Sequence, residues 1–286
     1  MMRSHKIPLE TGLAYHVLEW GADEPHDHTV LLLHGFLDIA WSWRATVEAG
    51  LAGRFHLVAP DFRGHGDSDR VGAGGYYYFA DYLADVHALV KQVGRTRVSI
   101  VGHSMGGSVA SYYAGSFPSR LHRLALLEGL GPPAQSPPGP ERVVAWLNGW
   151  ERVRATPPRS YASVDEAAAR LREHDRLLDA TLARELAEHG TFEGADGRRR
   201  FKHDPLHATT GPYGYQLDSA QRFWRAITCP VLLVDGAESE YRLMDVADRV
   251  NCFMQVHHEI LPGAGHMMQR HQPAPLATLL ADFLSR

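Results

Sequence analysis

Short apolar runs recur along the chain at 29–35 (TVLLLHG), 55–60 (FHLVAP), 98–104 (VSIVGHS), 124–129 (LALLEG), 231–236 (VLLVDG) and 257–263 (HHEILPG). Each is too short for a buried helix and carries glycine or proline at or near its end, so each predicts a strand. Between the runs, apolar positions fall at helical spacing over 41–51, 79–93, 105–116, 241–250 and 273–283. Strand and helix in alternation predict an α/β fold, a mostly parallel sheet with helices on both faces.

The alternation breaks between 131 and 228. This stretch opens with the proline-rich GPPAQSPPGP and continues with helical sequence. In SVDEAAARLREHD, Ser163 and Glu166 have the spacing of a capping box. ATLARELAEHG ends at Gly190, a helix stop, and the Asp196-Gly197 pair of EGADGRRRF predicts a small hairpin. The expected organisation is a core domain formed by 1–130 and 229–286, with 131–228 as a mainly helical cap over the sheet.

Composition narrows the function classes. A formal charge of -4 and a pI near 6.5 do not suit a partner built on phosphate backbone, so nucleic acid is excluded as the ligand. The two cysteines, Cys229 and Cys252, form neither a disulfide framework nor metal-ligand spacing, which points to a reducing, cytoplasmic setting. The N-terminus has no signal-peptide core, and no apolar run approaches the ~18 residues that span a bilayer, so no membrane association is expected. His257 and His258 would alternate in direction on a strand, so no metal site is indicated. The basic run Arg198, Arg199, Arg200 and Lys202 reads as a solvated loop face, with steering of an anionic substrate as the alternative.

The chemistry concentrates in three loops. VGHSMGG places Ser104 between Gly102 and Gly106 after an apolar strand and before a helix, the setting of a nucleophile elbow. A serine needs a base, and His266 in LPGAGHMMQRHQP lies between the last strand and the last helix, where it can hang over the strand ends. His34, His65 and His103 sit beside turn-shaping glycines and read as structural, and His271 reads as a surface residue. The turn at His34-Gly35 would aim the Phe36 amide at a reacting carbonyl, and the Met105 amide comes from the elbow; two such donors make an oxyanion hole. Trp41 and Trp43 could line an acyl pocket, although core packing suits at least one of them. Asp61 and Arg63 in APDFRGHGDSD read as braces. Trp146, Leu147 and Trp150 have spacing that fits helix packing better than a pocket wall.

From about residue 5 onward the chain resembles the α/β-hydrolase family, on HGF at 34–36, DFRGHGDSD at 61–69, GHSMGG at 102–107 and GAGH at 263–266, in the family's order. The resemblance implies a mostly parallel eight-stranded sheet flanked by helices, with a mainly helical lid inserted after the sixth strand. HGFLDIAWSW at 34–43 and YASVDEAAARLREHDRLL at 161–178, with AEHGT at 187–191, are also similar to the serine hydrolase-like subgroup.

One position departs from the family's pattern. Its usual aspartate, three residues after the glycine that closes 231–236, would fall at Ser239, which carries no charge. Glu238 and Glu240 flank it and are the alternative acids. Glu128, at the carboxyl edge of the sheet after 124–127, is the preferred one, because ligand chemistry in open α/β folds collects there. One group of haloalkane dehalogenases is similar, with a glutamate about two dozen residues past an aspartate nucleophile; here the interval is 128 − 104 = 24. Only the acid position carries over.

The expected activity is that of a serine esterase, a carboxylic ester hydrolase working through Ser104, His266 and Glu128 and an acyl-enzyme. Serine at the elbow argues against dehalogenase and epoxide hydrolase chemistry. Thioester, lactone or carbon–carbon bond hydrolysis and cofactor-free perhydrolysis use the same parts, and a ligand-binding relative without turnover is the alternative of a different class. No cofactor is implied, the expected partner is a small ester-like molecule, and the sequence assigns no oligomeric state.

Overall fold

The computed structural model describes residues 1–134, 139–241 and 243–286. Along the chain the strands are β1 (Met2–Pro8), β2 (Ala14–Trp20), β3 (His28–Leu33), β4 (His56–Pro60), β5 (Arg97–His103), β6 (Arg123–Leu127), β7 (Thr191–Glu193), β8 (Arg199–Phe201), β9 (Val231–Gly236) and β10 (Val256–Leu261). Eight of them form one sheet in the order β1-β2-β4-β3-β5-β6-β9-β10, and β7 and β8 pair separately. The β1–β2 and β2–β4 pairings are antiparallel, and every pairing from β4 to β10 is parallel. The helices are α1 (Arg44–Thr46), α2 (Phe79–Val93), α3 (Met105–Ser116), α4 (Pro140–Ala155), α5 (Val164–His174), α6 (Ala180–Gly190), α7 (Leu217–Ala226), α8 (Val246–Val250), α9 (Met268–His271) and α10 (Pro273–Ser285).

Because strand side chains alternate, the central strands feed two cores at once. Leu31, Leu33, Ile100, Leu124, Leu126 and Leu233 face a layer that includes Val86 and Leu89 of α2, Val109 and Tyr113 of α3 and Trp224 of α7. Val30, Leu32, Val101, Ala125, Leu127 and Leu232 face the other way, against Trp43, Val47 and Leu51 and against Leu276, Leu280 and Leu284 of α10. The six apolar runs are all strands. The two N-terminal strands complete the eight that the family resemblance implies.

Two predicted helices come out differently. The stretch 41–51 is split into a 3-10 turn (Ala40–Trp43), α1 and a wide turn (Val47–Leu51), broken where Gly50 leaves helical geometry. The helix expected over 241–250 is confined to Val246–Val250, because Ser239 and Tyr241 are committed to a loop in which the Tyr241 N–H donates to Ser239 Oγ; Arg242 lies outside the described residues.

Between β6 and β9 the chain forms α4 to α7 and the β7–β8 hairpin. The proline-rich opening falls partly outside the described residues. Ser163 Oγ accepts the Glu166 N–H (3.1 Å), and the Glu166 carboxylate accepts the Ala162 N–H, one residue ahead of the expected capping partner. Gly197 turns the hairpin at φ 70°. Tyr161, Ala167, Leu178, Ala183 and Leu186 make a small apolar cluster of their own. Its exit and entry are fastened together: Arg249, fully buried on α8, donates to the carbonyls of Leu130 (2.7 Å) and Pro132 (2.9 Å), while Tyr215 donates to Leu130 O (3.3 Å). Among the described residues no helix is long and apolar enough to cross a membrane.

Candidate active site

The carboxyl ends of β5, β6 and β9 meet at one corner of the sheet. β5 passes into α3 through Ser104, whose φ is 51°. The turn is that sharp because two glycines let backbone close on backbone. A Cβ on Gly102 would lie 2.5 Å from Gly106 O, and one on Gly106 would lie 2.5 Å from Leu33 O. β6 passes into the next loop through Glu128, at φ 44°, and the loop after β3 passes through Leu37, at φ 57°. Among the described residues these three are the non-glycines at positive φ. Such backbone costs on the order of 1–3 kcal/mol per residue and persists only where the surroundings hold it.

His266 joins the other two. Its Nδ1 is 2.6 Å from Glu128 Oε2 and its Nε2 is 3.1 Å from Ser104 Oγ. With the Nδ1–H donating to the carboxylate, Nε2 is left as the acceptor for the serine proton. The ring is placed by its own loop. The His266 carbonyl accepts from His103 Nε2 (2.8 Å), and Gly236, which a Cβ would drive to 2.4 Å from Ala264 O, lets that loop descend onto the strand end. Tyr241 covers the imidazole, with ring centroids 5.0 Å apart. Burial, and then the neighbouring His266, pushes His103 down to about 3, so it stays neutral beside the site.

The Glu128 carboxylate is buried and fully engaged. Oε1 accepts the Gly236 N–H (3.0 Å); Oε2 accepts the Ser239 hydroxyl (2.9 Å) as well as His266. Ser239, standing where the family resemblance puts an acid, is therefore a donor to the acid that is present. Glu238 and Glu240 are exposed, and neither hydrogen-bonds His266 among the described residues.

The 34–38 loop approaches Ser104 closely, since a Cβ on Gly35 would lie 3.3 Å from the serine Cβ. His34 is buried and its Nε2 accepts the Phe62 N–H (2.9 Å), while His65 Nε2 accepts the Leu37 N–H (3.2 Å). These rings shape the loop that carries the Phe36 amide. Asp61 accepts from Ala40 N (2.7 Å), Asp67 N (2.9 Å) and His16 Nδ1 (2.7 Å), and Arg63 pairs with Asp85 (2.6 Å). Both act as braces. His16, Asp61 and Asp67 bring ligand atoms together, but His16 is held between Asp61 and Ser4, and Asp67 is paired with Lys202.

A cavity of about 560 Å³ opens beside Ser104, Met105 and Glu128. Phe36, Phe79, Tyr112, Tyr213, Tyr215 and Tyr241 supply its aromatic walls, and Ser108, Gln216 and Ser219 its polar points. Among the described residues no Lys or Arg lines it. Trp43 is buried in the core and Trp41 stacks on His189 of α6 (3.4 Å), so neither tryptophan faces the cavity. Trp146 and Trp150 pack on Tyr76. Arg200 and Lys202 are half-buried and already paired, Arg200 with Asp196 (2.6 Å) and Lys202 with Asp67 (2.7 Å).

His271 is not a surface residue. Its side chain is 4% exposed, with Nε2 on Asp175 (2.7 Å) and Nδ1 accepting the Gly265 N–H (3.0 Å). It ties the loop carrying His266 to the segment between β6 and β9, a link across 96 residues that no local pattern carries. Sequence reasoning also missed Ser239 and Tyr241 as partners of the corner. Their signal was the uncharged residue at the expected acid position.

A family described as alpha/beta hydrolase fold matches residues 28–269. The chain belongs to the α/β-hydrolase family. A serine hydrolase-like protein from Danio rerio is 38% identical to this hydrolase over 112 residues, 39% of this chain and 33% of that one. A 3-hydroxybutyrate-oligomer hydrolase from Cupriavidus necator is 29% identical over 279 residues, 93% of this chain and 90% of its own. A solved structure of a hypothetical protein from Pseudomonas aeruginosa PAO1 superposes with a TM-score of 0.86 at 29% identity, covering 100% of this chain and 99% of that one. The chain spans 29% to 41% of the length of the first curated relatives it matches.

Proposed function

We propose that this α/β hydrolase is a serine esterase that cleaves neutral carboxylic esters. The reading rests on one observation above all: Ser104 Oγ lies 3.1 Å from His266 Nε2, whose Nδ1 lies 2.6 Å from the buried Glu128 carboxylate, at the wall of an apolar cavity. In this scheme Ser104 attacks the ester carbonyl while His266 takes its proton. The tetrahedral oxyanion accepts from the Phe36 and Met105 amides, each such donor being worth on the order of 10² to 10³ in rate. His266 then protonates the departing alcohol. Water, deprotonated by the same ring, releases the acid from Ser104. Glu128 holds the tautomer and faces the imidazolium that forms. The scheme calls for no cofactor.

The segment between β6 and β9 acts in this reading as a cap, because Tyr213, Tyr215, Gln216 and Ser219 come from it to the cavity. The absence of Lys and Arg from the described lining supports an uncharged acyl group. The oligomer hydrolase of similar length supports an ester substrate with further ester or hydroxyl groups, for which the tyrosines and Gln216 offer donors.

A fluorophosphonate probe tests the nucleophile. The wild type is expected to label and Ser104→Ala to stay unlabelled and inactive while keeping its melting temperature. Labelling of Ser104→Ala at the wild-type rate would overturn the assignment. Comparing kcat/KM for acetyl, butyryl, octanoyl and succinyl esters tests the substrate class, with the succinyl ester expected to be slowest.

A further inference from the structure

Ser239 is 5% exposed and sits in the turn after β9, its N–H on Gly236 O (3.2 Å). Its hydroxyl donates to Glu128 Oε2 (2.9 Å) and accepts the Tyr241 N–H (3.1 Å). Oε2 is the oxygen that also faces His266 Nδ1. A glutamate side chain has three torsions, and this one must present a single oxygen to the ring through the whole cycle. Gly236 fixes one carboxylate oxygen and Ser239 the other. Ser239 is not among the residues lining the cavity beside Ser104; it touches Glu128 directly and the Tyr241 backbone beside the imidazole.

Resting on the assignment of Ser104, His266 and Glu128 as the triad, we propose that Ser239 is a positioning residue for Glu128. A donor to a buried carboxylate is worth more than a neutral hydrogen bond, and losing it here frees the carboxylate to turn off the ring.

Steady-state ester hydrolysis and thermal melts of four variants test this. Ser239→Ala is expected to lower kcat about 10-fold with KM within about 2-fold, while Ser239→Thr, which keeps the hydroxyl, stays within about 3-fold of wild type. In Ser239→Gly, which also lacks the hydroxyl, kcat is expected to fall to the same extent. Wild-type kcat in Ser239→Ala, or an equal loss in Ser239→Thr, overturns the positioning role. Wild-type kcat in Ser239→Gly overturns it equally, and decides the matter alone if Ser239→Ala does not fold. Should Glu128→Gln itself keep wild-type kcat, the triad assignment falls. Should Glu128→Gln be crippled while Ser239→Ala is not, only the role of Ser239 falls.

Discussion

Two loops leave the carboxyl edge of the sheet from adjacent strands, β6 and β9, and both carry glutamate to within a few residues of the same strand end. They treat it in opposite ways. After β6 the carboxylate of Glu128 is turned inward on a left-handed residue and surrounded by donors. After β9 the carboxylates of Glu238 and Glu240 face water, and the residue turned inward between them is Ser239. A carboxylate in water needs nothing from the protein, whereas a buried one must have its lone pairs filled. The comparison teaches that an acid is recognised at such a corner by the donors assembled around it, more than by its distance along the chain from a glycine.

The sharpest way to break this comparison is to neutralise the acids one at a time. In a serine protease, exchanging the triad acid for its amide costs about 10⁴ in kcat through the wrong tautomer. Glu128→Gln is expected to lower kcat by at least about 10²-fold here, a barrier increase of ~2.7 kcal/mol or more. Retention of activity in a variant that melts like the wild type would move the acid elsewhere.

A middle-sized effect concerns stability. Burial, first of all, pushes His28 and His207 down to about 4 and His103 to about 3. In the unfolded chain these rings titrate near their ordinary value of about 6.5. Below that pH the unfolded state takes up protons that the folded state refuses, so stability is whole above about 6.5 and is lost as the pH falls toward 4. The melting temperature should therefore drop between pH 7 and pH 5. His28→Gln is expected to flatten that slope. The smallest effect belongs to the exposed loop: Glu238→Gln and Glu240→Gln should each change kcat by less than about 5-fold, ~1 kcal/mol. If Glu238→Gln were the crippling variant, the contrast between the loops would be reversed.

What was legible in the sequence follows from how local each signal is. Ser104 was readable because its conformation is written into Gly102 and Gly106, two residues either side. The central strands were readable because burial on both faces leaves unbroken apolar runs, as in the VLLL of residues 30–33. β1 was not read as a strand: it is an edge strand with mostly exposed residues and offers no such run. His271 and Asp175 are 96 residues apart, so a ring expected at the surface of the final helix is in fact a buried link. The helix expected from Tyr241 failed for a similar reason, since its apolar spacing was real but its first residue serves the imidazole of His266.

Arg249 has a consequence for motion. By drawing the carbonyls of Leu130 and Pro132 onto one guanidinium, with the Tyr215 ring 5.8 Å from it, the buried side chain fastens the two feet of the β6–β9 segment to each other and to α8. Swinging that segment about its feet would strip two carbonyls of their charged donor, a cost of about 1.5–3 kcal/mol for each hydrogen bond.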